Sequence, residues 1–298
     1  MASDAFNTII DLVPADFADP AADYRQVRAT MAPYHDHPTS DDLRIEIQDV
    51  GGVRAGHYRY DHQGDDPCVA LHYHGGAYVS CPLDVYHFYG EIIAKALDIP
   101  VVMPDYRLAP EHPFPAAPTD CLNAYRGLLQ SGTAPEKIVV LGESCGGGLA
   151  IDTLVQAKVE GLPMPACFVS LTGWFDLNPP AAPQGRDPFL TPEWVRHRGL
   201  EFTAGQIPLD DPRVSVCHAN LQGLPHLYLQ VAQHDTMAPG ALQLAARASL
   251  AGVNVTLESW PEMIQGWQGL VNSGVPEAAE AWRQIKHFVD WKLRRFDS

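Results

Sequence analysis

Five consecutive residues, Gly142-Glu143-Ser144-Cys145-Gly146, constrain this chain more than any other stretch. They fit the pattern G-x-S-x-G, directly follow the apolar run Lys137 to Leu141 and directly precede a segment of helical length. Small residues around the serine permit a turn sharp enough to lift its hydroxyl off the end of a sheet. The start of the helix behind it supplies unpaired N–H groups and a partial positive charge. Glycine and serine are common in loops, so the five letters alone are weak. Their place between a buried strand and a helix makes them specific.

The rest of the chain supports such a sheet. Leu43, Ile45 and Ile47 alternate with Arg44, Glu46 and Gln48, the pattern of a half-buried strand, and Gly51-Gly52 turns it into a hairpin partner over Val53 to Tyr60. Five short runs are apolar without alternation: Cys68 to Tyr73, Pro100 to Met103, Lys137 to Gly142, Ala166 to Leu171 and Leu227 to Ala232. Strands buried on both faces read this way. Helix-length segments separate several of them: Tyr86 to Leu97, Thr119 to Leu129, Gly147 to Val159 and Gly240 to Ala251. An amphipathic helix is expected over Glu277 to Phe296. The expected fold class is therefore α/β, a mainly parallel central sheet with helices on both faces, in one domain over residues 1–298.

Two regions depart from this rhythm. Residues 1–42 look helical but are punctuated by Pro14, Pro20, Pro33 and Pro38, and 176–212 combines prolines at 179, 180, 183, 188, 192 and 208 with Phe189, Trp194 and Phe202. The aromatic content makes a folded insertion the better reading of the second, and the two regions together are expected to form a small cap. Phe189, Trp194, Phe202 and, further on, Trp267 are candidates to line an apolar binding pocket. They are equally good candidates for cap core.

Composition narrows the classes of partner. Lys and Arg number 20 against 36 Asp and Glu, a net charge of −16, which argues against nucleic acid or an anionic membrane face. No apolar run approaches the ~18 residues of a membrane span, and Met1 to Asp16 has no secretion signal. The six cysteines are scattered and never form C-x-x-C, so free thiols in a reducing, cytoplasmic setting are expected.

A second motif, His72-Tyr73-His74-Gly75-Gly76-Ala77, ends another buried strand. A glycine turn is its plain reading. A metal reading has only the two imidazoles of His72 and His74 and no third ligand at suitable spacing, so no metal and no cofactor are expected. The functional reading is an oxyanion hole: N–H groups of Gly75, Gly76 and Cys145 facing a bound carbonyl.

With these residues in view, the chain resembles the hormone-sensitive-lipase family of α/β-hydrolases. The likeness rests on His74-Gly75-Gly76-Ala77, the run Asp105 to Ala117, the elbow around Ser144 and the sequences around Asp235 and Gln265. Ala77 stands where the family has a third glycine, and Cys145 where it usually has alanine. The resemblance implies a carboxylic ester hydrolase acting through Ser144 and an acyl-enzyme. A lactone is an equally compatible small-molecule substrate, and a homodimer would suit the family. The loop from Tyr106 to Ala117 reads as rigid support in which Arg107 and Glu111 can pair.

The acid is expected at Asp235, after the strand Leu227 to Ala232. The base should follow in M-x-H-G-F, and the chain has Met263-Ile264-Gln265-Gly266-Trp267. A carboxamide cannot take up the serine proton at neutral pH. It can hydrogen-bond, and bonds from Gln265 to Asp235 and Ser144 are expected. His226, His234 and His287 are poorly placed to replace the base. Three readings of Gln265 stand: a deliberate or recent removal of the base from an intact esterase, a ligand-binding pseudo-hydrolase, or another mechanism in which Gln265 positions water. The intact serine, acid and glycines favour the first.

Overall fold

The structure, a computed structural model, describes residues 2–13, 19–35, 38–64, 66–179, 187 and 190–294. Eight strands form one sheet: β1 (Leu43–Val50), β2 (Val53–Tyr60), β3 (Val69–Tyr73), β4 (Val101–Pro104), β5 (Ile138–Glu143), β6 (Cys167–Leu171), β7 (His226–His234) and β8 (Val255–Ile264). Their order is β1-β2-β4-β3-β5-β6-β7-β8. The hairpin β1–β2 and the pair β2–β4 are antiparallel, and every later pair is parallel.

Among the described residues eight α-helices accompany the sheet: α1 (Asp4–Ile10), α2 (Tyr24–His35), α3 (His87–Leu97), α4 (Ala116–Gln130), α5 (Cys145–Val159), α6 (Pro192–Thr203), α7 (Ala238–Leu250) and α8 (Pro276–Leu293). One apolar core lies on the face covered by α4, α5 and α7, with Leu71, Val140, Phe168 and Leu229 of the strands inside it. A second, on the opposite face, holds Ala70, Leu141 and Val169 against α3 and α8. Burial on both faces is what the unbroken apolar runs required. The elbow lies at the C-terminal end of β5, the central strand, where an open parallel sheet leaves a crevice.

Three expectations need correction. β1 is an edge strand, so Ile47 is 47% exposed although Leu43 is buried. Helix α2 runs through Pro33, which in the last turn removes only one backbone donor. Arg107 does not pair with Glu111: it binds both oxygens of Asp120 at 2.8 Å, while Glu111 takes the guanidinium of Arg28 at 2.8 Å. One full strand, β8, went unread in the sequence, because its exposed outer positions break the apolar run that marks its neighbours.

The two proline-rich regions meet in space. Buried Arg198 on α6 donates to the carbonyl of Ala22 at 2.6 Å, and His197 binds the carbonyl of Pro20. All six cysteines are buried free thiols. No helix among the described residues is long and apolar enough to cross a membrane.

Candidate active site

Ser144 takes φ +52° and ψ −124°, a backbone state that costs a non-glycine residue roughly 1–3 kcal/mol. Three hydrogen bonds hold it there. Its N–H donates to Leu171 O at 3.2 Å, and its carbonyl accepts from Gly147 at 3.0 Å and from Trp174 at 2.7 Å. The turn is also too tight for side chains around it. A Cβ on Gly146 would lie 1.9 Å from the carbonyl oxygen of Tyr73, so the elbow packs backbone to backbone against the end of β3. Ser144 is thereby the N-cap residue of α5, with the first N–H groups of the helix beside it.

The adjoining turn from β3 is shaped for close approach as well. Gly76 adopts φ +107° and Ala77 φ +55°, and a Cβ on Gly76 would meet Ser80 O at 2.3 Å. Cys145 braces this turn through its side chain, accepting the Tyr78 N–H on Sγ at 3.2 Å. Burial pushes that thiol up to about 12, so it stays protonated and unreactive. From the other side Tyr106 donates its hydroxyl to His74 O at 2.8 Å. The Tyr106 to Ala117 loop thus supports the turn, as its rigidity implied.

Gly75 has a different place from the one expected of it. Its N–H donates to the Glu143 carboxylate, and a Cβ there would strike Glu143 Oε2 at 2.1 Å. The wall of the cavity above Ser144 is made by Gly76 and Ala77. Sequence alone could not tell which N–H of a glycine turn points outward, because that depends on one peptide orientation.

The cavity measures about 590 Å³ and is lined mainly by apolar and aromatic side chains. Ile9 of α1, Met31 of α2, Leu190 and Trp194 form one side; Tyr86, Tyr89, Ile264, Trp267 and Leu270 form the other. Of the pocket candidates, Trp194 and Trp267 line it. Phe202 does not: it is buried against Tyr78 with ring centroids 3.9 Å apart, and against Phe114. Phe189 lies outside the described residues.

Asp235 follows β7 and is 5% exposed, with Oδ1 accepting the Met237 N–H at 2.8 Å. Burial, reinforced by the neighbouring charge of Asp187, raises its carboxyl well above the usual range. Asp187 itself accepts the Thr236 N–H at 3.0 Å. Gln265 follows β8 and lines the cavity with Ser144, its loop tied down by Gly266 N–H to Thr172 Oγ1 at 3.0 Å. The expected bonds from Gln265 to Asp235 and Ser144 are not formed; its side chain lies toward the Glu143 carboxylate and favours its ionised form. A carboxamide, unlike an imidazole, cannot become a cation that draws the Asp235 carboxylate toward it.

Sequence reading passed over Glu143. It is buried against the Gly75 turn, takes the Tyr86 hydroxyl at 2.6 Å, and is raised by burial against the pull of its hydrogen bonds. The signal was present: an acid inside a motif whose other positions are small.

The remaining histidines agree with their sequence placing. His226 binds Thr256 Oγ1 at 3.0 Å near the start of β7, and His287 is exposed on α8. His72 and His74 are fully buried, stacked on Tyr89 and Tyr106, and burial holds them down to about 3 and about 4. Among the described residues one group has metal-ligand chemistry: Asp176, Cys217 and His218, with ligand atoms within 4.8 Å of one another. None of the three lines the cavity.

Comparison with known proteins agrees with this geometry. A family model for the α/β-hydrolase fold matches residues 70–269. An acetyl-hydrolase of Streptomyces hygroscopicus is 34% identical over 68% of this chain and 69% of its own. A carboxylesterase of Mycobacterium tuberculosis is 30% identical over 92% and 90%. The crystal structure of an esterase from the bacterial hormone-sensitive lipase family superposes with a TM-score of 0.89 at 32% identity, covering 98% of this chain and 99% of that one. A strained serine at a strand-to-helix elbow, the glycine turn beside it and these relatives together place the chain in the hormone-sensitive-lipase-like family of α/β-hydrolases.

Proposed function

We propose that this chain is built to hydrolyse carboxylic esters of short to medium size through Ser144, and that its turnover is cut sharply by Gln265. The observation that carries this is Ser144 itself, held in a costly backbone state at the rim of an apolar cavity. Ser144 attacks the carbonyl carbon, and N–H groups from the Gly76–Ala77 turn and from Cys145 hold the developing oxyanion. Asp235 is the acid that would orient an imidazole at 265. Residues 1–42 and 176–212 act as the cap, supported by the entry of Ile9, Met31 and Trp194 into the cavity wall. A lactone suits the same machinery, since ring opening needs no further group.

The test compares the native chain with Gln265→His and Ser144→Ala on p-nitrophenyl butyrate. Gln265→His is expected to raise kcat/KM by about 10²- to 10⁴-fold, the usual worth of a general base. Ser144→Ala should remove what turnover the native chain has. If Gln265→His stays inert while the protein binds a small apolar ligand, the chain is a binding protein and the esterase reading fails. A native chain already as fast as Gln265→His would refute the role given to position 265.

A further inference from the structure

Resting on that reading, we infer that Glu143 is the proton acceptor for Ser144 in this chain, with Gln265 as the residue that positions it. Among the described residues lining the cavity there is no histidine and no lysine, and Glu143 is the sole carboxylate. It precedes Ser144 directly, and both line the same cavity. Asp235, the acid an imidazole would need, does not line that cavity and is occupied with Asp187 and the Met237 N–H. Gln265 lines the same cavity as Glu143 and favours the ionised form of its carboxylate.

Glu143 has the surroundings of a working base. Burial makes its ionised form a stronger proton acceptor than an exposed glutamate, while hydrogen bonds from Tyr86, Gly75 and Gln265 keep ionisation possible. The other titratable groups packed around it, Tyr86, Tyr89, Cys81 and Cys145, are all pushed up by burial and stay neutral. No neighbouring charge therefore competes for the proton.

The steps balance. Ser144 Oγ bonds to the ester carbonyl carbon as its proton passes to the Glu143 carboxylate. The bond to the alcohol oxygen breaks, and Glu143 returns the proton to that oxygen. Water then attacks the acyl carbon and gives a proton to Glu143; Ser144 Oγ leaves and takes the proton back. Gln265 donates to one carboxylate oxygen throughout and accepts no proton.

The experiment places Glu143→Gln in the native and in the Gln265→His backgrounds, with kcat/KM on p-nitrophenyl butyrate followed from pH 4 to 9 and folding checked by thermal melts. In the native background Glu143→Gln should cost about 100-fold or more, the lower range of general-base effects. In the Gln265→His background, where an imidazole takes the proton, the cost should stay under about tenfold. The acid limb of the native profile should also differ from the Gln265→His limb, which is expected near the ordinary imidazole value of about 6.5. Equal losses in both backgrounds would mean that Glu143 only braces the oxyanion turn through Gly75, and would overturn the inference. So would a native rate untouched by Glu143→Gln. Ser144-dependent turnover confined to Gln265→His would overturn it while leaving the esterase reading intact; inert chains in every background would overturn both.

Discussion

The Ser144 side of the site and the Asp235–Gln265 side are built on opposite principles. On the Ser144 side, the turns after β3 and β5 are packed backbone to backbone: Gly146 against Tyr73 O and Gly76 against Ser80 O. Nothing there can shift without a clash, so the strained Ser144 is over-determined. On the other side, Asp235 and Gln265 come from loops after β7 and β8, and side-chain interactions set their partners. A hydrogen-bonded partnership is exchangeable. Without an imidazole, Asp235 is left beside Asp187 and Gln265 turns to Glu143. Backbone packing preserves the geometry of a site, whereas side-chain pairing follows the residue types present.

Substitution at Gly146 is the most severe way to probe this contrast. Gly146→Ala puts a Cβ 1.9 Å from Tyr73 O, where no flexible side chain can give way. A loss of about 3 kcal/mol or more in denaturant unfolding is expected, at the upper end of overpacking costs. A loss below about 1 kcal/mol would show that the Ser144 side is as adaptable as the other.

A middle-sized effect of opposite sign is expected from Asp235→Asn. The folded carboxyl is raised above its unfolded value, so folding is favoured below the unfolded value and loses stability as pH climbs through the folded one. Removing the charge should therefore raise stability at pH 7 by roughly 1 kcal/mol, a gain in Tm of about 2–4 °C, and leave it unchanged near pH 3. Thermal melts at the two pH values decide. Destabilisation at pH 7 would mean that Asp235 is ionised and well paired, and the comparison drawn above would fall.

The smallest effect concerns the surface. Glu111→Gln weakens the bidentate pair with Arg28, whose side chains are 44% and 32% exposed, and should cost well under about 1 kcal/mol, less still in high salt. Because Arg28 also donates to Val79 O at 2.6 Å, a larger loss would show that α2 is needed to hold the glycine turn after β3.

The legibility of the chain follows the range of the forces involved. The apolar runs that became β3, β4, β5, β6 and β7 were readable because burial on both faces leaves its mark on every residue of the strand. β8 alternates burial at an edge and went unread, although it carries Gln265 to the cavity. Trp194 and Trp267 were recognisable as large apolar groups near the site, but nothing local separated them from Phe202, which the fold consumed in packing against Tyr78.

By itself the sequence determined the α/β layering, the elbow at Ser144 and the absence of an imidazole at 265, all consequences of periodicity or of residue identity at one position. Tertiary structure alone decided the pairings, Arg107 with Asp120, Glu111 with Arg28, Gly75 and Gln265 with Glu143, and set the like charge of Asp187 near Asp235. The physical reason is that hydrogen bonds and charges act over a few ångströms between groups distant in the chain. Their partners are chosen only after the apolar cores have brought the strands together.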